Sequence, residues 1–443
     1  MNVQIRPAKT AAEIGLADLF ASVRGSLPGG REVGAIRLDA FGRFATAGLP
    51  HARHEAWKYT DLRRLMRDAK PLAPRPDAGA KLRAGSAGAL FAGLGLRRLV
   101  IVDGAFVPEL SDLADIEAGV SIRSTASALA ADEPILSQGS GAAALMNDTA
   151  VALNTALASD GVVISIAPEV VVERPIHLVF ITTTDTPAAT FTRSRLVVGE
   201  DARAVVIETH EGPDQSEYQV NAALDLVVGD GAKLDHVRMV SEGDAALHLS
   251  TLAAIVGVRA SLREFSLVTG GAVVRNQLSL TLTGEGAVAG VNAASLLAGR
   301  QHVDTTLLVD HVAPGAQSRE LFKAVVDDEA RAAFQGKITV RPGAQQTDAR
   351  MMARALLLSD DAVANCKPEL EIFADDVQCG HGSTTGALDD ELKFYLMARG
   401  IPGNEAEALL IRAFVGEVID AIEREDLRDA LSREMANWLA RGE

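Results

Sequence analysis

The sequence predicts a mainly β protein, a parallel β-helix or β-solenoid flanked by helical regions at both ends. Three observations carry this expectation. From about Val162 to Ile372 the chain breaks into short Val, Ile, Leu and Thr runs separated by Gly and Asp turns, a strand-like period. Within that stretch a tight turn ending in Ala recurs, as in EDAR, DGAK, EGAV and PGAQ, placing Ala202, Ala232, Ala260, Ala287, Ala316, Ala330, Ala344 and Ala362 at intervals of 30, 28, 27, 29, 14, 14 and 18 residues. Sandwiches give irregular intervals, whereas a solenoid stacks equal rungs. The runs are also too tightly punctuated for βαβ units, whose crossovers need about a dozen residues. A rung of such a repeat holds two short strands and two turns, with Gly and Ala at the corners so that neighbouring rungs can approach.

In chain order, residues 1–95 read as an N-terminal helical region. "AAEIGLADLFASVRG" sets Ile14, Leu16, Leu19 and Phe20 at helical spacing, and breaks fall at Pro28-Gly29-Gly30 and at "KPLAPRPDAG". Residues 96–386 form the core. It opens with "RRLVIVDGAFVPELS", a hairpin turning at Asp103-Gly104, and with a helical stretch from Thr125 to about Ala158. Residues 387–443 return to helix. "DDELKFYLMARG" carries acids in its first turn and stops at Gly400, and a second helix starts with Asn404 as its cap. Leu409, Leu410, Ala413, Phe414, Val418 and Ile422 give it an amphipathic stripe that must dock on the solenoid, on a partner, or on both.

Composition narrows the function classes. The chain has 443 residues and a net charge of −16, which repels polyanions and argues against nucleic acid. No apolar run of about 18 residues occurs, and the N-terminus lacks the apolar core of a signal peptide, so no membrane association and a cytoplasmic location are expected. In that reducing compartment the two cysteines stay thiols.

Several chemistries are absent. "RAAFQGKI" lacks the first glycine and the Ser/Thr of a P-loop, so no nucleotide is expected to bind this chain. "GSGAAA" from Gly139 and "GEGAVA" from Gly284 match the dinucleotide fingerprint only loosely, and a solenoid corner explains Gly284 better. Asp375-Asp376 and Asp389-Asp390 read as a solvated face and a helix first turn. His210, His236, His248, His302 and His311 lie in the repeat, where a lone histidine is ordinarily a surface or stacking residue, although two of them aligning across rungs stays open.

The stretch "DDVQCGHGSTTG" raises the sharpest question. In an extended strand Cys379 and His381 point to the same side, and thiolate and imidazole both ligate iron, zinc or copper. Two ligands are not a complete site. The residues alone leave two readings: half of a site completed by a second chain across a sheet edge, or a thiol near a turn beside an unrelated histidine. Cys366 has no ligand neighbour in sequence and reads as a small buried hydrophobe.

The block "KPELEIFADDVQCGHGSTTGALDDELKFYLMARGIP", its continuation "AEALLIRAFVGEVID", and upstream "HEAWKYTDL", "LVIVDGAFVPELS" and "LNTALASDGVVISIAPEVVVERPIHLVF" resemble the SufB/SufD family of the Suf iron–sulfur cluster assembly system, on its SufD side. The likeness spans nearly the whole chain. It implies a right-handed parallel β-helix between helical ends, and a non-enzymatic scaffold subunit of a SufBCD complex. Such a subunit would pair with SufB through the β-helix cores and bind the ATPase SufC through its C-terminal helices, with Leu409, Leu410, Phe414 and Val418 as docking candidates. It would contribute to iron acquisition and to a transient iron–sulfur cluster shared with SufB, with Cys379 and His381 as the inter-subunit iron or cluster site. A homodimer of the isolated chain is an alternative assembly. Two readings from other classes are a carbohydrate-active β-helix enzyme, disfavoured by the few aromatics in the repeat, and a structural solenoid dimer without a metal role.

Overall fold

The computed structural model describes residues 8–137, 145 and 147–440. Helices α1 (Ala11–Val23), α2 (Arg31–Ala47), α3 (Leu62–Leu65) and α4 (Ala78–Arg83) come first. They are followed by the hairpin β1 (Arg97–Val102) and β2 (Ala105–Phe106), then β3 (Val120–Ser124), α5 (Thr125–Ala130) and α6 (Thr149–Leu157). Asp103 and Gly104 both have positive φ, as the hairpin turn requires. The helical stretch expected from Thr125 to Ala158 is thus α5 and α6. The Gly139 motif, and the first seven residues of the stretch read for a signal peptide, lie outside the described residues. None of the described helices is long and apolar enough to cross a membrane.

The solenoid strands are β4 (Val162–Ile166), β5 (Ile176–Ile181), β6 (Ala188–Val198), β7 (Arg203–Glu211), β8 (Tyr218–Val228), β9 (Lys233–Ser241), β10 (Leu247–Val256) and β11 (Ser261–Val268). They continue with β12 (Val273–Leu282), β13 (Val288–Leu297), β14 (His302–His311), β15 (Gln317–Val326), β16 (Arg331–Val340), β17 (Asp348–Leu357), β18 (Val363–Ile372) and β19 (Gln378–Gly386). From β4 onward each strand pairs in parallel with the next but one, so even and odd strands build two facing sheets of nine and ten strands, including β1 to β3. The coil makes about eight turns.

The repeat resolves differently from its first reading. A full turn is two strands, most of nine to eleven residues, and takes about 29 residues, as the register of His302 with Arg331 shows. The 14-residue intervals are half turns, hopping between two corners. Ala202, Ala232, Ala260, Ala287, Ala316 and Ala344 are buried at one corner, Ala330 and Ala362 at the other. At five of these turns the residue before the alanine (Asp201, Gly231, Arg259, Gly286, Gly315) has positive φ, which reverses the chain and points the alanine into the core. A Cβ on Gly284 would lie 2.0 Å from the Val258 nitrogen of the stacked turn, so Gly284 is a corner, not a phosphate cradle.

The flanking helices cover opposite faces. Leu16, Phe20, Phe44, Trp57 and Leu62 pack with α6 on Phe191, Leu247 and Leu249 of the even sheet. The "HEAWKYTDL" segment acts as a staple. Trp57 Nε1 donates to Asp148 Oδ2 at 2.7 Å, the Arg275 guanidinium stacks on the Trp57 ring at 4.6 Å, and the Thr60 hydroxyl donates to Asp304 at 2.5 Å. Helices α7 (Asp390–Met397), α8 (Gly403–Ile419) and α9 (Glu425–Ala440) follow β19. Ile411, Val415, Val418, Ile419 and Leu431 of α8 and α9 pack on Val237, Phe265, Leu296 and Val325 of the odd sheet. Two expectations shift here. Pro402, not Asn404, precedes α8, and the continuous second helix is broken after Ile419. Asp389 caps α7 by accepting from the Glu391 and Leu392 amides, as its acidic start suggested.

Candidate functional site at the end of the solenoid

Strand β19 reads Gln-Cys-Gly-His-Gly-Ser-Thr-Thr-Gly, with no large apolar side chain. One edge pairs with β17, and among the described residues no strand lies on the other; β18 ends the even sheet in the same way. Cys379 is in register with Ala349 and His381 with Met351, both buried in the solenoid core. In-register side chains of parallel strands stack, so Cys379 and His381 project together from the inward side of the last rung. Each terminates a column. Leu262, Ala289, Ser318, Ala349 and Cys379 align across successive turns, and Glu264, Val291, Glu320, Met351 and His381 align beside them.

Two buried polar groups, Glu320 and His311, lie in the interior near this end. Burial pushes the Glu320 carboxyl up to about 8, with Ser318 and Arg319 offsetting only part of that. His311 Nε2 lies 2.9 Å from the Ser318 hydroxyl, and burial lowers its imidazole to about 4. The half-buried Cys379 thiol is raised by burial; the Ala349 amide opposes this, while the Asp348 and Glu320 carboxylates add to it. The His381 imidazole is not among the groups that shift this thiol. Cys366 on β18, in register with Phe334 of β16, is half-buried against the same core, and burial raises its thiol too. Phe373, next to these strands, is 58% exposed.

The four docking candidates on α8 separate. Val418 is fully buried in the chain's own core, Leu410 and Phe414 are half-buried, and only Leu409 is exposed, at 38%. The buried row runs through Ile411, Val415, Val418 and Ile419, offset from the stripe read in the sequence. The Lys323 ammonium lies 4.6 Å from the Phe414 ring centre and pairs with Glu417. The short helix α7, on the N-terminal side of α8, exposes Leu392, Phe394 (72%), Tyr395 and Met397 around its circumference, apolar residues outside the sequence-read stripe.

The histidines of the repeat are not surface residues. His210, His236, His248 and His311 are buried, and His210 and His248 meet edge-on with ring centres 4.7 Å apart. They belong to a buried network with Glu208, Glu242 and Glu264. Glu208 Oε1 is 2.6 Å from His210 Nε2, and His236 Nδ1 is 2.5 Å from Glu264 Oε2. Burial opposes charge on His236, but the Glu264 and Glu208 carboxylates outweigh it and push the imidazole up to about 9. The parity of the turns would have found part of this. Glu208, His210, His236 and Glu264 each lie an even number of residues after a corner alanine, on the inward-facing side.

Comparison with known proteins agrees with this architecture. Residues 180–414 match the family model described as "SUF system FeS cluster assembly, SufBD core domain", and residues 12–178 match "SufBD protein N-terminal region". The chain belongs to the SufBD family. Among relatives, it is 32% identical over 394 residues to an iron–sulfur cluster assembly SufBD family protein of Synechocystis, covering 86% of each chain. To the iron–sulfur cluster assembly protein SufD of Escherichia coli it is 30% identical over 404 residues, covering 89% of this chain and 90% of that one. A SufBD family protein of Mycobacterium tuberculosis is 35% identical over 243 residues, covering 53% of this chain and 60% of the relative. The matched SufBD regions take in both the solenoid and most of the helices packed on it.

Proposed function

We propose that this chain is a scaffold subunit of cytoplasmic iron–sulfur cluster assembly. In this reading it pairs with a SufB-type solenoid through its last rung and holds a SufC-type ATPase on its C-terminal helices, residues 387–443. The observation that carries it is the unfinished end of the coil, where two free strand edges flank inward-facing Cys379 and His381. An unpaired edge next to exposed Phe373 is a docking surface, since free backbone donors and acceptors recruit another strand. A partner rung there would close over the two side chains and supply the ligands that a complete site needs. Iron and sulfide are cargo, held transiently. The ATPase surface is the exposed helix α7 together with Leu409 and the half-buried Leu410 and Phe414, while Val418 acts through the fold. No turnover is assigned to the isolated chain.

The test is co-purification with SufB- and SufC-type subunits, followed by iron and sulfide analysis. A ternary complex is expected from both the wild-type and the Cys379→Ala, His381→Ala chains, with cluster content lost only from the variant. Retention of full cluster content by that variant supports the structural-dimer reading, and absence of any complex overturns the proposal.

A further inference from the structure

A second group of ligating side chains lies inside the solenoid, far from its open end. His210 on β7, Glu242 just after β9 and His248 on β10 each offer one ligand atom, all within 4.8 Å of one another, and all three are buried. Six strand spacings separate β7 from β19, roughly 28 Å at the usual inter-strand distance. We propose that His210, Glu242 and His248 bind a divalent transition-metal ion, completed by water.

The surroundings are those of a prepared site. Glu208 Oε1 lies 2.6 Å from His210 Nε2, so with the ring proton on Nε2 the carboxylate accepts it and Nδ1 is left to ligate. A carboxylate behind a ligating imidazole is the usual second partner of a metal-bound histidine. Glu242 is fixed by the Tyr218 hydroxyl, which donates to Oε2 at 2.7 Å and accepts from the Gly243 amide at 2.7 Å. His248 Nδ1 lies 3.0 Å from Glu242 Oε1, while its Nε2 is buried with no hydrogen-bond partner. Leaving a buried polar nitrogen unpaired costs about 1–3 kcal/mol, a cost that an ion or its bound water would remove.

Charge and access agree. The carboxylates of Glu208, Glu242 and Glu264 face Arg238 and the His236 imidazolium, so the added ion meets an anionic neighbourhood. Two imidazoles and one carboxylate suit Zn²⁺, Fe²⁺ or Co²⁺, and lack the thiolates that select Cu(I). A narrow crevice lined by Gly104, Thr182 and Thr190 reaches His210 and Glu242.

Titration of the full-length, metal-stripped chain with Co²⁺, read by visible absorption, and with Zn²⁺, read by calorimetry, tests this. The wild type is expected to bind one ion per chain, and His248→Ala to lose about 100-fold or more in affinity. Tyr218→Phe, which removes only an oxygen, is expected to lose about 10-fold and serves if His248→Ala fails to fold. The Cys379→Ala, His381→Ala chain is expected to bind as wild type. No uptake by the wild type, unchanged affinity in both His248→Ala and Tyr218→Phe, or loss of the ion on changing Cys379 and His381 overturns the proposal. These readouts do not depend on cluster assembly, so the proposal stands or falls apart from the function proposed for the open end.

Discussion

The two ends of the solenoid are built from the same rung and finished in opposite ways. At the N-terminal end the first strands are closed by antiparallel partners, β2 against β1 and β3 against β4, and most side chains of β6 and β8 are buried beneath α6 and the Trp57 segment. At the C-terminal end no described strand caps β18 and β19, and their side chains are half-buried or exposed. Solenoids need polar caps for solubility, and an edge left free in a folded chain is a liability unless something pairs with it. The difference teaches that burial is concentrated in the first turns and middle of the coil, while the last rung is left half-buried or exposed.

The largest expected effect breaks the capped end. Trp57→Ala removes a buried ring, its hydrogen bond to Asp148 and the Arg275 stacking, and is expected to cost about 3–5 kcal/mol in denaturant unfolding. Phe373→Ala at the open end is expected to stay within about 0.5 kcal/mol. Similar losses at both ends would mean that the last rung is as tightly integrated as the first.

Next comes Glu320, buried in the interior near the open end. Its folded value of about 8 stands above the ordinary 4.5. At about pH 4 the folded and unfolded chains both keep the proton. As pH rises the unfolded chain ionises first, so this group's contribution to stability falls until the folded carboxyl ionises near pH 8. The groups facing it are Ser318 and Arg319, with His311 reached through Ser318 and the Cys379 thiol toward the open end. Glu320→Gln is therefore expected to match wild type at about pH 4 and to exceed it by roughly 2–4 kcal/mol at about pH 9. Parallel pH profiles for the two chains would show that the carboxyl ionises freely in the folded state.

A smaller effect separates the two faces of the C-terminal helices. Val418→Ala, inside the helix–solenoid contact, is expected to cost about 1–3 kcal/mol, whereas Phe394→Ser on α7 is expected to change stability by under about 0.5 kcal/mol and to weaken ATPase docking. If Phe394→Ser leaves docking intact, the ATPase contact lies elsewhere.

Legibility in the sequence followed the same division. The corner alanines announced the solenoid because a tight turn stacked on another admits only small inward residues, and that constraint repeats every turn. Their two interleaved corners hid the true rung, since a half turn and a full turn leave similar marks. On α8 the stripe was misplaced because α8 and α9 both press on the odd sheet: Ile411 and Val415 turn inward while Leu409 faces out. The pairing of Cys379 with His381 on one side followed from strand alternation alone. The buried histidines did not, because a polar residue in an inward position looks like a surface residue until the strand's parity is fixed by its turn.

The smallest stability effect is expected where the proposed function is most sensitive. Cys379 and His381 stand on a strand with one free edge, the thiol only half-buried and the imidazole exposed, so truncating both to Ala deletes few packed atoms from the isolated chain. A change under about 0.5 kcal/mol in its unfolding free energy is expected. Docking of a second solenoid would desolvate the same side chains, and the double variant should then lower the melting temperature of the complex with a SufB-type subunit by several degrees more than that of the free chain. Equal shifts in the free chain and the complex would place both side chains outside the shared interface and leave the edge strands alone to account for pairing.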